Sequence, residues 1–246
     1  GSGLTLGVAG PVGTSLPGVA GGGGGGPGGR RRKGREHRRG GADVGQVATS
    51  GGVVSARSNP AHAHFRPAEL DVLVEEATAA GMFVMAHAQA ADGIKNAIRA
   101  GVDSIEHGVW LDDEAVELML ERGTYMVPTL TAPFLIAHGG LEAGIPKYMV
   151  DKGHQVLEHH IASYQRALAA GVHPAMGTDQ GTPLSRPGDN AQEILRMAEH
   201  GLTPAAAILA ATKWASELLQ LGDEIGDLRE GMAADVLVLN ADPLAD

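Results

Sequence analysis

The sequence predicts an α/β fold built on a parallel sheet, and three observations support that prediction. From about residue 42, short apolar runs alternate with amphipathic stretches, as successive βα units require. Several of the amphipathic stretches end at a glycine, which is a common helix stop. Polar residues directly follow several of the apolar runs, and the carboxyl ends of parallel strands would bring them to one edge of the sheet.

The predicted elements alternate along the chain. Strands are predicted at residues 43–49, 82–88, 103–107, 124–130 and 173–178, with a last strand at 235–239 outside the alternating series. Helices are predicted at residues 67–80, 91–100, 112–122, about 152–170, 190–200 and 204–219. Pro67 in the first turn, Asp112 as an N-cap and Gly101 and Gly123 as stops set the clearest boundaries. A long loop is expected after residue 130, through Gly139, Gly140 and Gly144.

The alternating strands and helices amount to five βα repeats, whereas a complete barrel of this kind has eight. The residues before 42 cannot supply three more repeats, because they are mostly glycine, proline, alanine and arginine. The sequence therefore predicts a partial TIM-like (β/α)8 barrel, about strands 4–8, followed by a short β-structured tail.

Residues 1–41 differ in composition from the rest of the chain. They contain a run of six glycines and a basic cluster around residues 30–39, so we expect residues 7–40 to be disordered. An RNA-binding or nuclear-targeting arm is an alternative, and a misread frame in a GC-rich gene is another. The rest of the chain is acidic and brings the net charge to −10, which makes nucleic acid an unlikely partner.

Composition also excludes several classes of site and location. The chain has no cysteine, which excludes disulfides and thiolate metal sites. No apolar run reaches the roughly 20 residues of a membrane span. No signal peptide is visible, although an incomplete N-terminus would hide one, and we expect a cytoplasmic protein.

Three polar residues stand at the carboxyl ends of predicted strands: His87, His107 and Asp179. A single histidine on an apolar strand is usually a core residue, but three such side chains at one face are harder to explain by packing. Two neutral imidazoles and a carboxylate suit a divalent metal, with Zn²⁺ the default. A metal would acidify water, and a neighbouring carboxylate could take the released proton.

Four segments give this pattern a specific resemblance, and they occur in order along residues 42–246. They are Met85-Ala86-His87-Ala88, Ser104-Ile105-Glu106-His107-Gly108, Gly177-Thr178-Asp179 and the tail from Gly226 to Leu239. Together they resemble the amidohydrolase superfamily, in its imidazolonepropionase-like and Xaa-Pro dipeptidase-like branch. The resemblance implies a barrel over residues 42–222 and a segment of a small β-sandwich over residues 223–246, after the low-complexity residues 1–41.

The resemblance also implies roles for individual residues. His87 and His107 resemble the metal ligands on strands 5 and 6, and Asp179 resembles the strand-8 aspartate that binds metal and shuttles a proton. Gln46 stands where many members carry a bridging carboxylated lysine, so this is a degenerate bridging-ligand position. The strand-1 His-x-His pair is absent, because His62-Ala63-His64 falls in a predicted loop.

The function implied is hydrolysis of an amide or cyclic amide C–N bond, with one or two divalent ions, most simply zinc. The substrate would be a small amide, a dipeptide or an N-acyl amino acid. Tyr148 and Arg186 are placed in loops over the active face, where they could hold a substrate carboxylate. Since the bridging lysine and the His-x-His pair are missing, we expect impaired turnover; the alternative is an inactive fragment or a binding protein that keeps the fold. A homo-oligomer is possible.

Three further histidines have a structural interpretation. His154, His159 and His160 lie within a predicted helix, and a solvated polar face explains them most simply.

Overall fold

The structure is a computed structural model that describes residues 3–8, 28–29, 31–32, 35 and 44–244. Its centre is a parallel five-stranded sheet in the order β1-β2-β3-β4-β5. The strands are β1 Gly3–Val8, β2 Val44–Ala48, β3 Phe83–Ala88, β4 Ser104–His107 and β5 Tyr125–Val127. Chain order and spatial order coincide, so the predicted α/β class with a parallel sheet is confirmed.

Eight α-helices accompany the strands within residues 44–244. They are α1 Pro67–Thr78, α2 Ala91–Ala100, α3 Asp113–Arg122, α4 Thr131–Gly139, α5 Lys147–Ala170, α6 Ala191–Glu199, α7 Pro204–Ala211 and α8 Lys213–Leu218. The side chain of Asp112 accepts from the amide of Ala115 at the start of α3, and Gly123 ends that helix in the left-handed conformation. These local signals were therefore correctly predicted.

The two faces of the sheet differ in burial. Residues facing the helices, such as Val47, Ala86 and Ile105, are completely buried in the main core. The opposite face, which carries Gln46, Met85 and His87, is only half-buried. This second face and the carboxyl ends of its strands are where polar side chains meet.

Several predicted elements are wrong or shorter than expected. The loop predicted after residue 130 contains α4, and α5 begins earlier than expected, at Lys147. The helix predicted at 204–219 is divided at Thr212 into α7 and α8. The strand predicted at 173–178 contributes one parallel bridge, between Pro174 and Met126. The stretch 235–239 forms no strand and is exposed.

The segment predicted to be disordered is partly described. Gly7 and Val8 belong to β1, at the start of that segment. Arg31 and Arg35 pair with Glu75 and Glu76 of α1, each with one N···O distance of 2.9 Å. Most of residues 9–43 lie outside the described residues. Within the described part, no helix has both the length and the apolar character needed to cross a bilayer.

Candidate active site

The carboxyl ends of β2, β3 and β4 open onto a cavity of about 350 Å³. Its polar lining includes Gln46, Ser50, His64, His87, Gln89, His107, His160, Asp179 and Thr182. Its apolar walls include Val53, Val54, Val109, Pro133, Ile136 and Val156. The structure thus places His87, His107, Asp179 and Gln46, all singled out in the sequence, around one space.

His87 is held by the glycine pair that follows β2. Its Nε2 lies 3.0 Å from the carbonyl oxygen of Gly51, so Nε2–H donates and Nδ1 keeps its lone pair. A Cβ at Gly52 would lie 3.3 Å from Cε1 of this ring, and a Cβ at Gly51 would lie 2.1 Å from the carbonyl oxygen of Asn59. Both glycines therefore allow a close approach. Burial lowers the pKa of His87, and the hydrogen bond to the Gly51 carbonyl opposes part of this shift. Because the net pKa lies below its ordinary value, the ring is neutral near pH 7.

His107 ends β4 in a left-handed conformation, with φ of 72°, which is uncommon outside glycine. Its Nδ1 lies 2.7 Å from the Thr129 hydroxyl oxygen, and that hydroxyl donates to the Pro128 carbonyl at 2.6 Å. A hydroxyl has one proton, so His107 Nδ1–H must be the donor, which leaves the Nε2 lone pair available. Burial lowers the pKa of His107 well below its ordinary value, and His87 and His160 lower it further.

Two carboxyl groups close to this pair have raised pKa values. Asp179, also left-handed with φ of 51°, is exposed at the cavity mouth, yet the surrounding protein raises its pKa to about 6 by desolvation. Burial raises the pKa of Glu106 to about 7; the Ser104 hydroxyl opposes this shift and the Asp179 charge adds to it. Both carboxyl groups can therefore exchange a proton near neutral pH, as an acid–base catalyst must.

The donor chemistry of the site fits a divalent cation. The rings of His87 and His107 have centroids 4.6 Å apart, and both are neutral with a lone pair available. Among the described residues, however, no three His, Asp or Glu side chains are grouped closely enough to hold an ion as they stand. The histidine pair thus offers two ligands, and a third requires a side chain, such as that of Asp179, to adjust.

The cavity residues that were not predicted from the sequence include His64, Gln89 and His160. His160 on α5 is buried, although it was assigned to a solvated helix face; His154 and His159 are exposed as predicted. His64 lies in a loop, as predicted, but reaches the cavity, and Gln89 follows β3 there. The buried spacing of His160 with Val156 and Ser163 on α5 was the available signal for its inward position.

The two predicted substrate contacts lie elsewhere. Tyr148 is in α5 rather than in a loop, and its hydroxyl donates to the carbonyl of Val54 at 3.1 Å. Arg186 is exposed. Neither is among the residues that line the cavity, so the structure does not bring them together with His87 and His107.

A parallel α/β sheet with histidines and a carboxylate at the carboxyl ends of its strands places these groups where parallel-sheet enzymes build their active sites. The chain belongs to the amidohydrolase family, whose sequence profile matches residues 20–246. It is 41% identical to ochratoxinase of Aspergillus niger over an alignment of 214 residues. This alignment covers 85% of this chain and 43% of the fungal protein.

Solved structures show the same relationship. A Xaa-Pro dipeptidase with methionine bound in its active site has a TM-score of 0.85 at 34% identity, covering 92% of this chain and 55% of that one. The A. niger ochratoxinase structure has a TM-score of 0.81 at 36% identity, covering 98% of this chain and 54% of that one. The chain therefore spans about half the length of the relatives that it matches.

Proposed function

We propose that this chain is a metal-dependent hydrolase of amide C–N bonds with weak turnover. The observation that carries the proposal is the convergence of His87, His107 and Asp179 on one cavity. Strands β2–β5 then form one arc of a TIM-like barrel over residues 42–222, and the cavity lies at the carboxyl face where such barrels place their active sites. The names of the relatives, ochratoxinase and Xaa-Pro dipeptidase, support amide substrates.

His87 and His107 would hold the metal, most simply zinc, through the nitrogen lone pairs that their hydrogen bonds leave available. When bound, a divalent cation polarises a carbonyl group and lowers the pKa of water. Asp179 would accept a proton from the attacking water and return it to the leaving nitrogen. Its pKa of about 6 suits both transfers near neutral pH.

Gln46 is the reason to expect weak turnover. It lies on β2 beside Met85 of β3 and lines the cavity, where the resemblance implies a bridging lysine. A neutral amide is a poor bridge between two cations, so at most one ion would be firmly held. Loss of support around a metal typically costs about 10–100-fold in affinity or activity.

A second candidate function is binding of a small amide without turnover. It is favoured by the finding that no three ligand side chains are grouped for an ion among the described residues. In that case the cavity would select a ligand while the metal chemistry of the family had been lost.

The experiment measures release of free amine from a panel of dipeptides and N-acyl amino acids, with Zn²⁺ or Mn²⁺ added. We expect slow, metal-dependent turnover that Asp179→Asn abolishes and Gln46→Lys increases, with activity falling below about pH 6 as Asp179 becomes protonated. The matched control is Asp189→Asn, which changes an exposed carboxylate outside the cavity lining and should leave turnover unchanged. Turnover that survives Asp179→Asn contradicts the proposed site. Absence of turnover in both the wild type and Gln46→Lys favours the binding function.

A further inference from the structure

Buried polar atoms without hydrogen-bond partners are concentrated around the cavity. Within the described residues six such side-chain atoms occur, and four belong to cavity-lining residues: Nδ1 of His64, Oε1 of Gln89 and both ring nitrogens of His160. A buried polar group without a partner is costly, and native proteins keep few of them. Because these atoms surround one space, a molecule bound there can supply the missing partners.

His160 is the most informative member of this group. Its side chain belongs to the long helix α5, and the residue is 1% exposed. The carbonyls of Pro128 and His107 lie near the ring and favour its protonated form, but neither meets hydrogen-bond geometry. A leucine would fill this position more favourably if packing were its only role, because a leucine has no polar atoms to satisfy.

The charge of the cavity restricts what can bind. Among the described residues, the titratable side chains of its lining are histidines and one carboxylate, Asp179, and none of them is a lysine or arginine. Lys152, on the same helix as His160, donates to the carbonyls of Ser55 and Ser58 and is not part of the lining. A ligand carboxylate would therefore lose its hydration beside the carboxylate of Asp179, and none of the described lining residues is a lysine or arginine that would offset that cost.

The unpartnered atoms match a neutral group. A neutral imidazole offers one donor and one acceptor, and a glutamine side chain offers both as well. An amide likewise donates through N–H and accepts through C=O, so it can satisfy both kinds of atom, whereas a carboxylate only accepts. The apolar part of the lining, with Val53, Val109, Ile136 and Val156, provides a surface for an aliphatic group.

We propose that His64, Gln89 and His160 form a recognition site for a small neutral amide that carries an aliphatic group, in preference to a free carboxylate. This inference concerns the ligand of the cavity in which hydrolysis is proposed, and it rests on the proposed function for its biological meaning. The Xaa-Pro dipeptidase structure that resembles this chain holds methionine. The lining of this cavity favours a ligand in which the carboxylate is replaced by an amide.

The test compares two probes that differ at one group: N-acetyl-L-leucine amide, which is neutral, and N-acetyl-L-leucine, which is an anion. Dissociation constants are measured on the full chain by ligand-detected NMR titration in a chelator, so that no metal contributes. We expect the amide to bind about tenfold more tightly or better. We expect His160→Leu to weaken amide binding about three- to tenfold, as loss of one net hydrogen bond would. His160→Gln, which keeps a donor and an acceptor, should restore part of the loss.

His154→Leu is the matched control, because His154 is exposed on the same helix; it should leave the dissociation constant unchanged. Thermal unfolding of His160→Leu separates binding from packing, since we expect its melting temperature to stay or rise while affinity falls. If that variant does not fold, Gln89→Leu provides the same comparison. Equal or tighter binding of the carboxylate, no binding of either probe, or unchanged affinity in the leucine variants would overturn the proposal. Amide binding without metal-dependent turnover would instead contradict only the proposed hydrolysis.

Discussion

At the scale of single residues, Glu106 shows how position on a strand sets chemistry. It is followed directly by His107 and lies on the half-buried face of the sheet, where its carboxyl accepts a hydrogen bond from the Ser104 hydroxyl. Burial raises its pKa from 4.5 to about 7, which means that folding favours its protonated form. Its contribution to stability is therefore present below pH 4.5 and is lost as the pH rises through 7.

The histidines of the cavity act in the opposite direction. Burial lowers the pKa of His160 to about 4, so its contribution to stability is present above about pH 6.5 and is lost as the pH falls toward 4. Acidification from pH 7.5 to 5.5 thus raises the free energy of unfolding through Glu106 and lowers it through the histidines.

We predict that Glu106→Gln removes the stability gained on acidification from Glu106 and leaves the stability lost from the histidines. Acidification from pH 7.5 to 5.5 should destabilise the variant more than the wild type, by on the order of 1–2 kcal/mol. Urea unfolding at the two pH values measures the difference. Glu117→Gln, an exposed change on α3, should behave like the wild type. A parallel pH response in Glu106→Gln and the wild type would show that this carboxyl does not titrate in the expected window.

At the scale of elements, α4 depends on a residue from another helix. Its own N-cap, Leu130, provides no side-chain hydrogen bond. The buried carboxylate of Glu193 on α6 instead accepts from the amides of Leu130 at 2.7 Å and Thr131 at 2.9 Å. A negative charge there also complements the helix dipole. The segment that contains Thr129, the partner of His107, is fixed by the same interaction.

Replacement of Glu193 by alanine should therefore cost about 3 kcal/mol, because two buried amides lose a charged acceptor. Chemical denaturation measures the change in the free energy of unfolding. Glu199→Ala provides the control: Glu199 is exposed on the same helix and pairs with Arg196 at 3.4 Å, so its replacement should change stability by less than about 0.5 kcal/mol. Equal effects of the two substitutions would contradict the capping role.

These two kinds of cap explain which elements could be predicted from the sequence. Asp112 and Gly123 act within a few residues of the helix that they bound, so α3 was predicted almost to the residue. The cap of α4 lies 62 residues from Thr131, and no local pattern reveals it. The same holds at the site. His87 and His107 lie at the carboxyl ends of β3 and β4, and Asp179 follows the stretch that bridges to β5, so strand order identified them. The place of His160 in the cavity depends on how α5 packs across it.

At the scale of the whole molecule, the sheet extends into the part of the chain with the least informative composition. Gly3–Val8 pairs in parallel with β2, and the register shifts between Thr5 and Gly7. A short run of Gly, Leu, Thr and Val beside a low-complexity stretch has no clear alternation of apolar and polar residues, so the sequence does not predict a strand there. The segment forms a strand by pairing with β2. The acidic residues of α1 that pair with Arg31 and Arg35 likewise connect the basic cluster to the body of the protein.

The carboxyl-terminal stretch is more accessible to proteases than the helices and strands of the fold. The amide of Ala233 donates to the carbonyl of Glu224 at 2.8 Å, and beyond it Leu237 and Val238 are 89% and 93% exposed in irregular backbone. Cleavage requires an extended segment that can enter an active-site cleft, and such exposed segments are preferred sites of nicking. Brief digestion with a protease selective for large apolar residues should therefore cut first between residues 236 and 239, leaving helices α1–α8 intact by mass spectrometry. Resistance of these bonds while α8 is degraded would mean that this stretch is covered in solution.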